Sequence, residues 1–382
     1  MTWRTGILGD VLTLKRGHDL PDSQRQEGDV PIVSSSGITG RHSYSKAKAP
    51  GVVTGRYGTI GEVFYLEEDY WPLNTALYVA DFKGNHPRFV AYFLRSILAN
   101  YQSDKAAVPG VNRNVLHALK VRYPVGKSQE QIADVLSSYD DLIENNRRRM
   151  ALLEEAARQL YREWFVRLRF PGHEHTRITN GVPEGWQRRA FADACASLED
   201  GDWIETKDQG GDDYRLLQIS NIGVNEFVET GNYRYVTEHT IKRLNCRELL
   251  PGHILIARMP KPIGRAWLVT EMPWRMITAV DAAIAVANED VADAYFLTHY
   301  LNSPSSLEHC ERRAVGATRP RVARRELAAL PLLIPPRRLQ THFREFAAPL
   351  NQQRAVLYRQ NEKLRAARDL LLPRLMSGEI AV

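Results

Sequence analysis

Residues 128–169, SQEQIADVLSSYDDLIENNRRRMALLEEAARQLYREWFVRLR, contain neither Pro nor Gly. Apolar residues recur at Ile132, Val135, Tyr139 and Leu142, and then at Ile143, Met150, Leu153, Ala157, Leu160 and Trp164. Steps of three, four and seven are those of a helix packed along one seam. At ~1.5 Å per residue such a helix is roughly 60 Å long, more than the width of a small domain. It cannot bury its own stripe, so the fold has to supply a partner.

The chain holds one near its C-terminus. Residues 341–375, THFREFAAPLNQQRAVLYRQNEKLRAARDLLLPRL, carry apolar residues at Phe343, Phe346, Leu350, Leu357, Leu364, Ala367 and Leu371. A shift of 211 residues lays Ile132 on Phe343, Val135 on Phe346, Leu153 on Leu364 and Leu160 on Leu371. It also sets Asn146 on Leu357 and Leu142 on Gln353. The two stretches read as copies, and the simplest arrangement pairs them as an antiparallel coiled coil. The alternative is two unrelated amphipathic helices, each packed on its own domain.

With 382 residues, 43% hydrophobic and 25% charged, the chain has the make-up of a folded soluble protein of two or three domains. No stretch approaches the ~20 apolar residues of a membrane span, and MTWRTGILGDV lacks a signal-peptide core. No membrane partner is expected. Cys195, Cys246 and Cys310 are odd in number and scattered, which suggests neither a disulfide framework nor a zinc site and fits a reducing cytoplasm. Net charge is +6, yet residues 170–335 hold 19 basic against 22 acidic side chains. Within that acidic stretch, ERRAVGATRPRVARRE places six arginines between Arg312 and Arg325. A local excess of this kind is a weak pointer to a polyanion; a solvated face reads the same way.

Taken in order, residues 1–35 alternate short apolar runs with turn residues, and SSSGITGRHSY follows as an expected exposed loop with Ser35, Ser36 and Arg41. VVTGRYGTIGEV then sets three glycines around Arg56, Tyr57 and Thr59, a loop whose backbone can approach a ligand closely. Arginine offers a bidentate fork and tyrosine a flat face. HPRFVAYFLRSILANYQS predicts a helix and AAVPGVNRN a polar loop with Asn112 and Arg113, before VLHALKVRYPV leads into the long helix. The second half repeats the plan: QISNIG, then ILIARMPKPIGRAWLV in parallel with the GRYGTIG stretch, then MITAVDAAIAV in parallel with PLNTALYVADF. Ala294-Tyr295-Phe296-Leu297 echoes Ala91-Tyr92-Phe93-Leu94. The order is module, long helix, module, long helix.

Catalytic motifs find little support. Gly126-Lys127-Ser128 lacks the first glycine of a P-loop, since Val121 stands there. His173-Glu174-His175 lacks a third metal ligand. Glu205-Thr206-Lys207 has the acidic-x-Lys form of many nucleases without an acidic partner. Neither a Gly-x-Ser-x-Gly elbow nor a dinucleotide-type glycine loop is present. These patterns favour a binding protein without metal or cofactor.

Several stretches together resemble the specificity subunit of type I restriction-modification systems: SSSGITG, VVTGRYGTIGEV, PLNTALYV, QISNI, the EQIADVLSSYDDLIENNRRRMALLEEAARQLYREWF helix and the terminal LLLPRLMSGEI. The chain departs from that pattern where KSQEQ enters the first helix and where ARMPKPIGRA replaces a second GRYGTIG. The resemblance implies an α+β chain: two mixed α/β target-recognition domains, residues 1–127 and 171–335, separated by two long helices, residues 128–170 and, with the tail, 336–382. Each domain would read one part of a bipartite target in double-stranded DNA. The helices would be spacer and docking surface for two modification subunits, which bind S-adenosylmethionine and methylate adenine, and for a restriction subunit. Candidate DNA contacts are Ser35, Ser36, Arg41, Arg56, Tyr57, Thr59, Asn112 and Arg113 in the first domain, and Arg258, Lys261, Arg319 and Arg321 in the second. Leu153, Leu160, Trp164, Phe165, Leu364 and Leu371 exceed what one seam needs and are candidate docking residues. Two further classes remain open: a coiled-coil adaptor that binds only proteins, and a nuclease centred on Glu205 and Lys207.

Overall fold

In the computed structural model, residues 2–56, 61–99 and 111–382 are described. They form two compact units, Met1–Asn146 with Gln360–Val382, and Arg147–Arg359. Both long helices therefore contribute to both units.

In the first unit, four antiparallel strands lie in the order Thr13–Arg16, Ala76–Asp81, Gly51–Gly55, Val63–Leu66. A three-stranded sheet follows as Gly37–His42, Val30–Ser34, Trp71–Pro72, its last pair parallel. The stretch SSSGITGRHSY is thus largely a β-hairpin, not the exposed loop expected from its hydroxyls and glycines. Strand Thr2–Ile7 pairs with Lys120–Val125, which leads into the long helix.

The second unit repeats this order: Cys195–Asp200, Ala282–Ala287, Ile254–Ala257, Ala266–Leu268 in one sheet, and Tyr235–Val236, Tyr214–Leu217, Arg275–Thr278 in the other. Here too the last pair is parallel, and Gln187–Ala190 pairs with Pro331–Ile334 as the lead-in to the second long helix. The helices Pro87–Ala99 and Ala294–Leu301 carry the echoed Ala-Tyr-Phe-Leu, all four buried in the first and all but the half-buried Tyr295 in the second. The repeat seen in the helices is a repeat of the whole module.

The first long helix, Lys127–Tyr161, begins directly after Gly126. It does not run to Arg169: a π-helical turn follows at Arg162–Val166, and Leu168 takes a left-handed conformation. Trp164 and Phe165, seven and eight residues after buried Ala157, continue the buried face of the helix, and both enter the core. The second, Arg337–Ser377, continues through Pro349 and Pro373, each of which removes one backbone donor. It stops at Gly378, whose φ of +80° and closeness to the Trp3 ring, 2.6 Å from a built Cβ, admit no side chain.

Within each unit the helices run antiparallel. In the first, Asp140 pairs with Arg368, and Ile132 and Leu136 share a core with Leu372 and Leu375. In the second, Glu154 pairs with Arg354, and Ala157 shares a core with Ala347. Burial pushes the Glu154 carboxyl upward against the attraction of Arg354, so desolvation outweighs the ion pair. Leu142 and Gln353, mismatched in the repeat, both face solvent. Asn146 and Leu357 are equally buried but chemically different. Asn146 Nδ2 donates to Asn361 Oδ1 at 2.9 Å, and Asn361 Nδ2 donates to the Ile143 carbonyl at 3.2 Å. Replacing Asn361 with Leu leaves Asn146 buried without that acceptor and is expected to cost about 1–3 kcal/mol. The N146L/N361L double variant should recover part of that loss in urea unfolding, because it removes both halves of the bond.

Two glutamines at the same 211-residue shift lock each module onto its helix. Gln129 accepts the His86 N–H at 2.8 Å and donates to the Pro124 carbonyl at 2.8 Å. Gln340 accepts the Asp293 N–H at 2.8 Å and donates to the Pro335 carbonyl at 2.8 Å. Each fixes the start of the helix that follows its backbone donor.

Candidate nucleic-acid interface

In the first unit, strand Gly51–Gly55 delivers Arg56 to its end. The Arg56 N–H donates to the Thr75 carbonyl at 3.0 Å, and its own carbonyl accepts the Val111 N–H at 2.9 Å. That bond ties Arg56 to Val111, one and two residues before Asn112 and Arg113, which are far away in sequence. Asn112 Oδ1 accepts the Asn114 N–H at 2.9 Å and caps the short helix Arg113–His117, so its acceptor serves the fold. Arg113 opens that helix and is exposed. Burial, with a smaller push from Arg113, holds the His117 imidazole below its usual range, and its Nε2 accepts the Leu14 N–H at 2.9 Å. Tyr57 and Thr59 lie outside the described residues.

Ser35 and Ser36 sit at the hairpin turn on the other sheet. Ser34 Oγ lies 3.0 Å from Ser36 Oγ, and Ser36 is exposed. Arg41 is half-exposed, with its guanidinium toward the Asp29 carbonyl and 3.8 Å from Glu68.

The second unit uses its arginines differently. Arg258, a candidate DNA contact, is buried rather than presented to a partner, and burial lowers its pKa. Its Nε donates to the Val322 carbonyl at 3.0 Å and its Nη1 to Asp200. Arg265, also buried, donates to the carbonyls of Ile222 at 2.6 Å, Ile219 at 2.8 Å and Pro262 at 3.1 Å. These two side chains brace the ARMPKPIGRA loop from within. Lys261 is exposed and pairs with Glu311.

Five of the six arginines between Arg312 and Arg325 have a carboxylate within 4 Å: Arg312 with Glu308, Arg313 and Arg325 with Glu326, Arg321 with Asp281, and Arg324 with Asp200. Arg321 also donates to the Val280 carbonyl at 2.7 Å. Arg319 stands apart. It lies exposed on a turn closed by mutual backbone bonds between Val315 and Arg321, both 3.0 Å, and has no ion pair among the described residues. The basic cluster is thus largely neutralised by neighbouring carboxylates, and within it Arg319 is the one arginine without such a partner among the described residues.

Trp164 and Phe165, expected on a docking surface, are buried in the core of the second unit, on the same helix face as Ala157 and Tyr161. Leu153, Leu160, Leu364 and Leu371 are half-buried along the helices. The outward apolar residues there are Leu142, Leu152, Phe346, Val356 and Leu370. Glu205 and Lys207, the nuclease-like pair, are bonded to each other at 2.8 Å on the surface. Among the described residues no group of three His, Cys, Asp or Glu side chains could hold a metal ion, and no helix is long and apolar enough to cross a membrane.

Residues 1–155 match the family model described as type I restriction modification DNA specificity domain. The type I restriction enzyme MjaIX specificity subunit of Methanocaldococcus jannaschii is 22% identical over 289 residues, 73% of this chain and 65% of that protein, just under two thirds of its length. The MjaVIII specificity subunit of the same organism is 19% identical over 77% of this chain and 70% of its own. The crystal structure of a type I restriction-modification S subunit from M. genitalium superposes with a TM-score of 0.56 at 14% identity, covering 98% of this chain and 96% of that one, a likeness of fold.

Proposed function

We propose, on the premise that this chain belongs to the specificity-subunit family of type I restriction-modification systems, that it reads an asymmetric two-part sequence in double-stranded DNA and has no catalysis of its own. The observation that carries this proposal is the repeat of one strand order in two units whose loops differ in chemistry. Arg56 and Arg113 edge the first module, whereas Arg319 and Lys261 edge the second. Two such readers with unlike contact residues suit two unlike half-sites better than a palindrome.

The partners are modification subunits, which would supply S-adenosylmethionine and adenine methylation, and a restriction subunit. The helices shared by both units would act as spacer and docking surface, with Leu142, Leu152, Phe346 and Leu370 offering apolar contact. Methylation mapping tests the proposal: the chain is co-expressed with its modification partner in a methylation-free host and the modified bases are sequenced. One asymmetric two-part motif, methylated on both strands, is the expected result. A stable complex that leaves no motif would favour a protein-binding adaptor instead.

Arg56→Ala is expected to weaken target binding by about 1–3 kcal/mol, the worth of one bidentate contact to guanine, and to relax preference at one position. A filter-binding comparison of target and single-mismatch duplexes checks this; unchanged affinity and preference would remove Arg56 from the interface.

A further inference from the structure

His42 ends the outer strand of the three-stranded sheet in the first unit and is fully buried. Its Nδ1 accepts the Gln26 N–H at 3.0 Å, while the Gln26 carbonyl lies farther off at 3.4 Å. A neutral imidazole that accepts at Nδ1 carries its hydrogen on Nε2. That Nε2 is buried without a hydrogen-bond partner, and so is Nε1 of Trp71, a residue 4% exposed. The two rings meet edge to face, 5.2 Å apart at 82°.

Tyr44 lies over both. Its ring is 4.5 Å from His42 and 5.4 Å from Trp71, and the residue is 51% exposed. It rides on a short arch between the strand end at His42 and the next anchor, where the N–H groups of Lys46 and Ala47 both donate to the Tyr70 carbonyl at 3.0 and 2.9 Å. Gly28 permits the arch to pass close by, since a Cβ there would sit 2.5 Å from the Ser43 Cα. The Lys46 ammonium stands 5.3 Å from the Trp71 ring centroid, exposed and with no ion pair among the described residues.

Two buried N–H groups that meet no acceptor are a cost to the folded chain and need an explanation. Both are donors, a free cation adjoins them, and one exposed ring covers them. That set suits an anion. We propose that His42 Nε2–H, Trp71 Nε1–H and Lys46 form a site for a phosphate oxygen, capped by Tyr44, and that a backbone phosphate of DNA displaces the Tyr44 ring to enter it. The DNA source rests on the function proposed above; the anion site belongs to the first unit alone.

The test follows the indole N–H resonance of Trp71 in the full chain labelled with 15N-tryptophan, assigned by its disappearance in Trp71→Phe. It is recorded first against inorganic phosphate, then against target duplex with the modification subunits bound. The resonance is expected to move with both. Lys46→Gln, a surface change that leaves the fold intact, should weaken phosphate binding about tenfold, the scale of one charge-assisted contact. It should also lower the slope of log affinity against log salt for the duplex by about one. Tyr44→Ala should bind phosphate several-fold more tightly, because no ring has to be moved; weaker binding would overturn the cap. A resonance still in both titrations overturns the site. Movement with phosphate but not with bound target duplex overturns the DNA assignment. If no duplex is preferred by sequence, the proposed function fails, and the phosphate titration still decides the anion site.

Discussion

Phe343→Ala is expected to destabilise the second unit by about 3–5 kcal/mol, the range for emptying a fully buried aromatic position. Phe343 has no solvent exposure, and its ring centroid lies 5.2 Å from Phe165, 5.4 Å from His299, 6.0 Å from Tyr161 and 6.3 Å from Trp164. Those neighbours come from the first long helix, the π turn after it and the helix Ala294–Leu301, so removal opens a gap that no single element can close. Aromatic pairs at these separations add to the area term. Phe343→Leu keeps most of the volume and should cost roughly 1–1.5 kcal/mol. Urea unfolding of the full chain, followed by tryptophan fluorescence, checks both values through Trp164 and Trp186 in the same core. A loss below about 1 kcal/mol for the alanine variant would mean that the second long helix does not enter this core.

The same residue shows how far the sequence could be read. Phe343 falls on Ile132 at a shift of 211 residues, and both are wholly buried. The repeat therefore carried depth as well as helical period, and it predicted the duplicated module before any strand was placed. Gln129 and Gln340 lie at the same shift and could have been found by aligning polar as well as apolar positions. Periodicity reports which face is apolar; it is silent on what a polar group will meet across the fold. Arg258 read as a DNA contact because its acceptor, Val322, is 64 residues away in sequence, just as Arg265 reaches Ile219 across 46 residues. Trp164 and Phe165 read as surplus apolar surface because the helix pair alone does not need them; what buries them is the core of the second module, with Trp186, Phe296 and Phe343. SSSGITG read as loop because glycine and serine mark turns, and here the turn is only the tip of a hairpin. Among the DNA-contact candidates, one backbone bond joins Arg56 to Val111, two residues before Arg113, and the arginine cluster is mostly matched by neighbouring acids.

Acid is expected to weaken the second unit through His299. This side chain lies inside the core, its ring 5.9 Å from Tyr161 and 5.4 Å from Phe343, and burial, aided by the Arg354 charge, lowers its pKa to about 3. In the unfolded chain an imidazole protonates near pH 6.5. Between those two values the unfolded state binds one proton more than the folded state, so stability rises with pH across the window and is lost as pH falls through it. The contribution is complete above pH ~6.5 and shrinks by about 1.4 kcal/mol per unit below it, which makes roughly 3 kcal/mol between pH 7 and pH 4. Carboxylates titrate over part of the same range, so the wild-type curve alone would not isolate the histidine. His299→Phe keeps a ring in the core and cannot take a proton. Its unfolding free energy, measured beside the wild type from pH 7 to pH 4, cancels the shared carboxylate response. The wild type should lose about 3 kcal/mol relative to the variant over that interval. A difference that stays constant with pH would mean that His299 protonates as readily inside the folded unit as outside it, and the core around Phe343 would then have to be open to water.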